Sequence, residues 1–178
     1  MTVTLVIDTS TSRTSVGVVQ DGALMWSGFK DGATAHGRAL PTLVQEAITG
    51  QSIDELVVGM GPGPFTGLRI GIAFAHSFAL ARNISVHGVC SLDAIAAQVD
   101  GKDFIVTVDA RRKEVYWARY IDGVRVGEPA VSFPSTVTGA QVYADLYPDL
   151  LAMAALSGNI TEPIYLRHPD AVATADRP

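Results

Sequence analysis

The chain has 178 residues, 48% of them hydrophobic and only 17% charged, with a formal net charge of −5. That length and composition describe a packed globule that needs no disulfide staples, and they exclude a disordered segment. The acidic balance argues against a broad phosphate-binding face, so an RNA partner is expected to be held mostly by another component.

The single cysteine, Cys90, has no internal disulfide partner, and the longest apolar run, IGIAFAHSFALA, is shorter than the roughly 20 residues of a membrane span. With no basic-then-apolar start, the chain reads as cytoplasmic.

Residues 3–8 and about 14–20 carry the Val/Ile/Thr content of strands, and about 23–29 completes a three-stranded meander. From His36 to Ile48 the positions Leu40, Leu43, Val44, Ala47 and Ile48 fall at helical spacing, with Pro41 expected in the first turn. ELVVGMG reads as a buried strand, GPGPFTGLR as a loop, and Thr66 to Arg82 as a helix apolar nearly all round. Within it Gly67, Gly71, Ala75 and Ala79 form a stripe of small residues, opposite Ile70, Phe74 and Phe78.

A short strand at VHGV, a helix from about Ser91 to Val99 and a strand ending at Asp109 follow, which is the element order of an RNase H-like lobe. Beyond Pro129 the pattern predicts helices at about 135–146 and 148–156 and a last strand at PIYLR, before a tail of Ala, Asp and Pro. The domains are read as 1–100, an N-terminal RNase H-like lobe, and 101–178, a truncated C-terminal lobe.

Two stretches repeat one plan 101 residues apart: a strand ending in Asp8 or Asp109, a turn, a second strand, and a hairpin at Asp21-Gly22 or Asp122-Gly123. Asp-Gly between alternating apolar runs predicts a type I′ turn, because both central residues need positive φ. Asp8 and Asp109 close strands where actin and sugar-kinase proteins place carboxylates that hold magnesium or activate a hydroxyl. They also suit ordinary turn hydrogen bonds. The glycines Gly61 and Gly63 resemble a phosphate cradle, or alternatively let a strand turn closely into a helix; the Lys-Ser/Thr of a P-loop is missing after Gly67. Arg69 suits either reading. The run Arg111-Arg112-Lys113 reads as a solvated turn. His36, His76, His87 and His168 form no metal-ligand pattern.

Taken together, IDTSTSRTSVGV, the HGRALP at His36 to Pro41, GPGPFTGLRIG at Gly61 to Gly71, GVCSL at Gly88 to Leu92, DARRKEVYW at Asp109 to Trp117 and YLR at Tyr165 to Arg167 resemble the bacterial TsaB family. The chain departs from that pattern at Pro64 and in a shortened stretch between Pro129 and Pro163. The resemblance implies a two-lobed actin/sugar-kinase-like (ASKHA, RNase H-like) α/β fold with a shortened C-terminal lobe. It implies a role in making N6-threonylcarbamoyladenosine next to the anticodon of tRNAs that read ANN codons.

Such proteins pair with the homologous transferase TsaD, the ATPase TsaE joins them, and tRNA is met through the complex. The catalytic relative carries a metal-binding HxEGH motif after a Gly-Val like Gly88-Val89; Ser91 and Ile95 stand at the ligand positions here, and Ile ligates nothing. The implied protein is therefore a scaffold without catalytic residue or metal, with ATP or ADP bound only within the complex. Family members pair through N-terminal-lobe helices, so Leu40, Leu43, Ala47, Arg69, Ile70, Gly71, Phe74, Ala75 and Phe78 are the candidate interface, able also to make a homodimer. The competing readings are a small phosphotransferase using Asp8, Asp109 and the Gly61 loop, and an M22-like metalloprotease.

Overall fold

The computed structural model describes residues 1–156 and 158–167; His168 and the Ala/Asp/Pro tail lie outside the described residues. The chain begins with an antiparallel meander, β1 (Val3–Asp8), β2 (Arg13–Gln20) and β3 (Ala23–Asp31). It continues through α1 (His36–Ala47), β4 (Glu55–Gly59), α2 (Phe65–Arg82), β5 (Ser85–Val89) and α3 (Ser91–Ala96). These strands form one sheet in the order β3-β2-β1-β4-β5, with β4 parallel to β1 and β5 parallel to β4. This is the arrangement expected of an RNase H-like lobe. Pro41 stands in the second turn of α1, on its exposed side, rather than in the first.

A second sheet, ordered β8-β7-β6-β9, contains β6 (Asp103–Asp109), β7 (Val115–Ile121), β8 (Val124–Ser132) and the short β9 (Gln141–Tyr143), parallel to β6. Both Asp-Gly hairpins have the expected backbone: φ is 49° and 79° at Asp21 and Gly22, and 49° and 77° at Asp122 and Gly123. The repeats are not superimposable in register. Asp8 pairs with Ser15, whereas Asp109 pairs with Val115, one residue before Tyr116, the sequence counterpart of Ser15.

The helix predicted at 135–146 is absent. A 3-10 turn at Pro134–Thr136 is followed by Gly139 at φ 98°, and β9 then extends along β6, with Tyr143 edge-on to Phe104 at 5.9 Å. Val and Tyr suit that half-buried pleat better than a helix interrupted by glycine. PIYLR forms no strand. Its backbone is tied to the first lobe by the Ile164 N–H donating to the Met60 carbonyl at 2.8 Å, and Tyr165 packs against Phe65 with ring centroids 5.0 Å apart.

The central strands β1, β2 and β4 are buried on both faces, as a sheet covered by helices on either side requires, whereas the edge strand β3 is largely exposed. Leu5, Ile7, Val16, Val18, Leu56 and Val58 point toward α1 and α2. Val6, Val19, Val57 and Val89 point the other way, toward α3 and α4 (Leu150–Ala155), where Met153 is fully buried. Asp149 caps α4 by accepting from the Ala152 N–H at 2.7 Å. A helix from the C-terminal third of the chain thus completes the core of the N-terminal sheet.

Candidate functional site

Asp8 ends β1 at 1% exposure, and its carboxylate is consumed inside the protein. Oδ1 accepts from the Ser10 N–H (2.9 Å) and hydroxyl (2.8 Å), and Oδ2 accepts from the Ser91 hydroxyl (2.7 Å) at the start of α3. Burial raises its pKa, against the opposing pull of the Ser91 and Ser10 hydrogen bonds. Gly59 closes the remaining side, for a Cβ there would overlap Oδ2.

The glycine loop leads from β4 into α2 and lies tightly against the turn after β1. A Cβ at Gly63 would overlap the Ser10 carbonyl, one at Gly67 would lie 2.6 Å from the Thr9 carbonyl, and one at Gly71 would overlap the Thr9 hydroxyl. That hydroxyl instead donates to the Gly67 carbonyl at 2.8 Å. Where a methyl does not fit, a phosphate does not either. On these faces the loop receives the chain's own Thr9–Ser10 backbone, which is the close strand-to-helix packing of the second sequence reading. Gly61, at φ 95°, makes the turn that lets the loop fold back.

Asp109, the counterpart of Asp8, has an opposite environment. Its side chain is 73% exposed, accepts from the Arg111 N–H at 2.9 Å and lies 3.9 Å from the Arg111 guanidinium. It lines a cleft of about 80 Å³ with Thr11, Ser12, Pro64, Thr107 and Arg111. Ligand pockets usually span roughly 300–1,000 Å³. Asp8 is not among the lining residues. The sequence-matched acids therefore do not face one cavity.

The segment after Asp109 is backbone-strained. Arg111, Arg112 and Lys113 have φ of 64°, 54° and 64°, three consecutive non-glycine residues in the left-handed region. Each costs about 1–2 kcal/mol relative to ordinary backbone. The charge of this run is written in the sequence, but its handedness is not.

The partner-interface candidates separate by burial. Leu40, Ala47, Gly71 and Ala75 lie inside the lobe's own core, a correction to their reading as contact residues; the small stripe turns toward the Thr9 turn and the sheet. Leu43, Ile70, Phe74 and Phe78 are half-buried and pack against that core, and Arg69 is exposed with its guanidinium 4.7 Å from the Phe65 ring centroid. The open face of α2 is instead formed by Arg69, Ala73, His76, Ser77 and Leu80, the last 85% exposed.

Two polar groups, one buried and one half-buried, carry no signal in the linear pattern. His36 starts α1 with Nδ1 2.8 Å from the Thr14 hydroxyl, and burial lowers its pKa. Asp93 on α3 accepts from the Tyr120 hydroxyl at 2.7 Å and pairs with Arg125 at 3.3 Å. Beside them the Cys90 thiol is pushed up to about 11, chiefly by burial and then by Asp93, so it is inert. Among the described residues no group of three or more His, Cys, Asp or Glu side chains is placed to hold a metal ion. Among them too, no helix is long and apolar enough to cross a membrane.

The two sheets and their crossing helices define a two-lobed α/β protein of the actin/sugar-kinase-like class, with its strand-end acid buried. The family model described as TsaD, tRNA N6-adenosine threonylcarbamoyltransferase, matches residues 30–167. The chain belongs to this family, as a TsaB/YeaZ-like member. It is 40% identical over 196 residues to an uncharacterized protein of Mycobacterium tuberculosis, covering 94% of this chain and 92% of that one. It is 37% identical over 125 residues to the tRNA threonylcarbamoyladenosine biosynthesis protein TsaB of Escherichia coli, covering 65% of this chain and 54% of that protein. YeaZ from Pseudomonas aeruginosa has a similar structure, with a TM-score of 0.74 at 25% identity over 88% of this chain and 91% of its own.

Proposed function

We propose that this chain is a non-catalytic subunit of the cytoplasmic machinery that makes N6-threonylcarbamoyladenosine in tRNA, pairing with the transferase TsaD and joined by TsaE. The observation that carries this reading is the state of Asp8. A carboxylate that accepts twice at Oδ1 and once at Oδ2, with Gly59 packed against the open side of Oδ2 and the neighbouring glycines filled by the chain's own backbone, has no space to offer a metal–nucleotide substrate. The names of the TsaB relatives support the pathway. Ser91, at a position where the resemblance places a metal ligand, is committed to Asp8, which supports a role without that metal. Any nucleotide then belongs to a joint surface with the partners, and tRNA is met through the assembly.

A subunit of this kind acts by binding the competent arrangement of its partner more tightly than the incompetent one. The exposed face of α2 is the docking surface this reading assigns to TsaD, and in TsaD's absence to a second copy. The test is reconstitution with TsaD and TsaE of the same source, scoring tRNA modification with and without this chain. Leu80→Arg should abolish co-elution with TsaD while the variant remains folded. ATP hydrolysis by the isolated chain, lost in Asp8→Asn, would instead favour the phosphotransferase.

A further inference from the structure

Helix α4 covers only part of the N-terminal sheet. Its first residue, Leu150, packs over Gly17 of β2, where a Cβ would lie 3.0 Å from Leu150 Cδ1. Successive side chains of a strand alternate between its faces, so the neighbouring residue of β2 on this face is Ser15. There the sheet is roofed by the loop of residues 145–149 that leads into the helix, and a cavity of about 350 Å³ is left between them. That volume lies within the roughly 300–1,000 Å³ of ligand pockets.

Ser15 is 6% exposed, yet its hydroxyl has no hydrogen-bond partner among the described residues. Among those residues no fully enclosed side-chain oxygen or nitrogen lacks a partner, so the Ser15 hydroxyl opens into the cavity it lines. A hydroxyl held at a buried position without a protein partner costs stability that an apolar side chain of similar size would not.

The charges around the cavity are unequal. The one cation of the lining, Arg13, is already matched: it donates from Nε and Nη2 to Asp31 at 2.8 and 3.2 Å, and the Phe29 and Tyr147 rings lie against its guanidinium. Asp145 lines the same cavity, and its carboxylate makes no hydrogen bond or ion pair among the described residues. Asp149 commits Oδ1 to the Ala152 N–H, and Gln98 donates Nε2 to the Tyr147 carbonyl at 2.7 Å, which leaves Oε1 as an acceptor. The rest of the wall is apolar, with Leu24, Leu146, Pro148 and Leu150.

We propose that this cavity binds a small alkylammonium ligand, an organic amine on a short aliphatic stem. An ammonium has three donors and no acceptor, which suits a lining rich in unpaired acceptors, while the stem meets the leucines. A carboxylate or phosphate ligand would face two uncompensated acids. The site is carried by this chain alone and does not depend on the function proposed above.

The experiment is isothermal titration calorimetry of the isolated full chain at fixed ionic strength, with diaminobutane as probe, butanediol as its uncharged counterpart, and magnesium chloride as a competing cation. The diamine should bind one saturable site and the diol none. Asp145→Asn and Ser15→Ala should each weaken the diamine about tenfold, the loss expected when one hydrogen bond to a charged group is removed. Asn tolerates the φ of 60° at position 145, so the first variant keeps its backbone. Ser27→Leu, at an exposed residue of the cavity wall, should abolish binding by filling the space, and it keeps the test available if Ser15→Ala folds poorly. Asp122→Asn, in the β7–β8 turn outside the cavity, should leave the affinity unchanged. Absence of saturable binding would overturn the proposal, as would equal binding of the diol. An equal loss in Asp122→Asn would reduce the effect to diffuse attraction by an acidic surface, and full displacement of the diamine by equimolar magnesium would make the site one for a hard cation; either result also overturns it. Failure of the chain to pair with TsaD would count against the proposed function and leave this site standing.

Discussion

His36 is neutral in the folded protein because burial penalises the imidazolium, so the unfolded chain takes up a proton first as pH falls below the ordinary value of 6.5. Its contribution to stability is complete above that pH and declines as pH drops toward the depressed folded value. Denaturant unfolding at pH 8 and pH 5.5 should show wild type losing stability relative to His36→Gln; a constant difference would mean that the ring does not titrate with folding. Asp8 has the opposite sign. Its folded pKa is raised, so the stability it confers is greatest below the ordinary carboxyl value of 3.8 and falls as pH rises through the folded value. Asp8→Asn, uncharged and of the same shape, should unfold within about 1 kcal/mol of wild type and leave complex-dependent modification intact. Ser91→Ala should cost about 1–3 kcal/mol, because it leaves a buried carboxylate oxygen without its 2.7 Å donor.

Helix α2 shows how close packing overrides local preference. Gly71→Ala would ordinarily favour the helix by up to about 1 kcal/mol. The added methyl overlaps the Thr9 hydroxyl, and overpacking costs about 1–3 kcal/mol, so a lower thermal midpoint is the expected result. Ala75, fully buried, should accept Arg only with collapse of the fold. The period of α1 and α2, the meander and both Asp-Gly turns were legible because each is written in neighbouring residues. Which side of α2 faces inward was not: the helix is apolar nearly all round, and the turn that claims its small stripe lies 58 residues away at the Thr9–Gly67 hydrogen bond. β9 was hidden for a related reason. Three residues suffice for it only because Phe104 to Val106 offer a ready ladder. The different fates of Asp8 and Asp109 were invisible for want of any local mark of Ser91.

At the scale of the molecule, the sheets are joined by more than the chain. The Arg13 guanidinium, paired with Asp31, stacks between Phe29 at 3.9 Å and Tyr147 at 3.8 Å, and Gln98 donates to the Tyr147 carbonyl at 2.7 Å. Met153 on α4 fills the far face of the N-terminal sheet, and Met153→Ala should cost about 2–5 kcal/mol by denaturant titration. The fragment 1–100 alone should therefore lack a cooperative thermal transition and regain one when co-expressed with 101–178; a sharp transition in the lone fragment would show that its sheet needs no cover. This dependence also sets an order on biosynthesis. As the polypeptide leaves the ribosome, the sheet can form early, yet Val6, Val19, Val57 and Val89 stay bare until the stretch ending at Ala155 has emerged. Until then the nascent chain presents an apolar surface of the kind that chaperones bind, because the helix that removes it is made well after the last strand of that sheet.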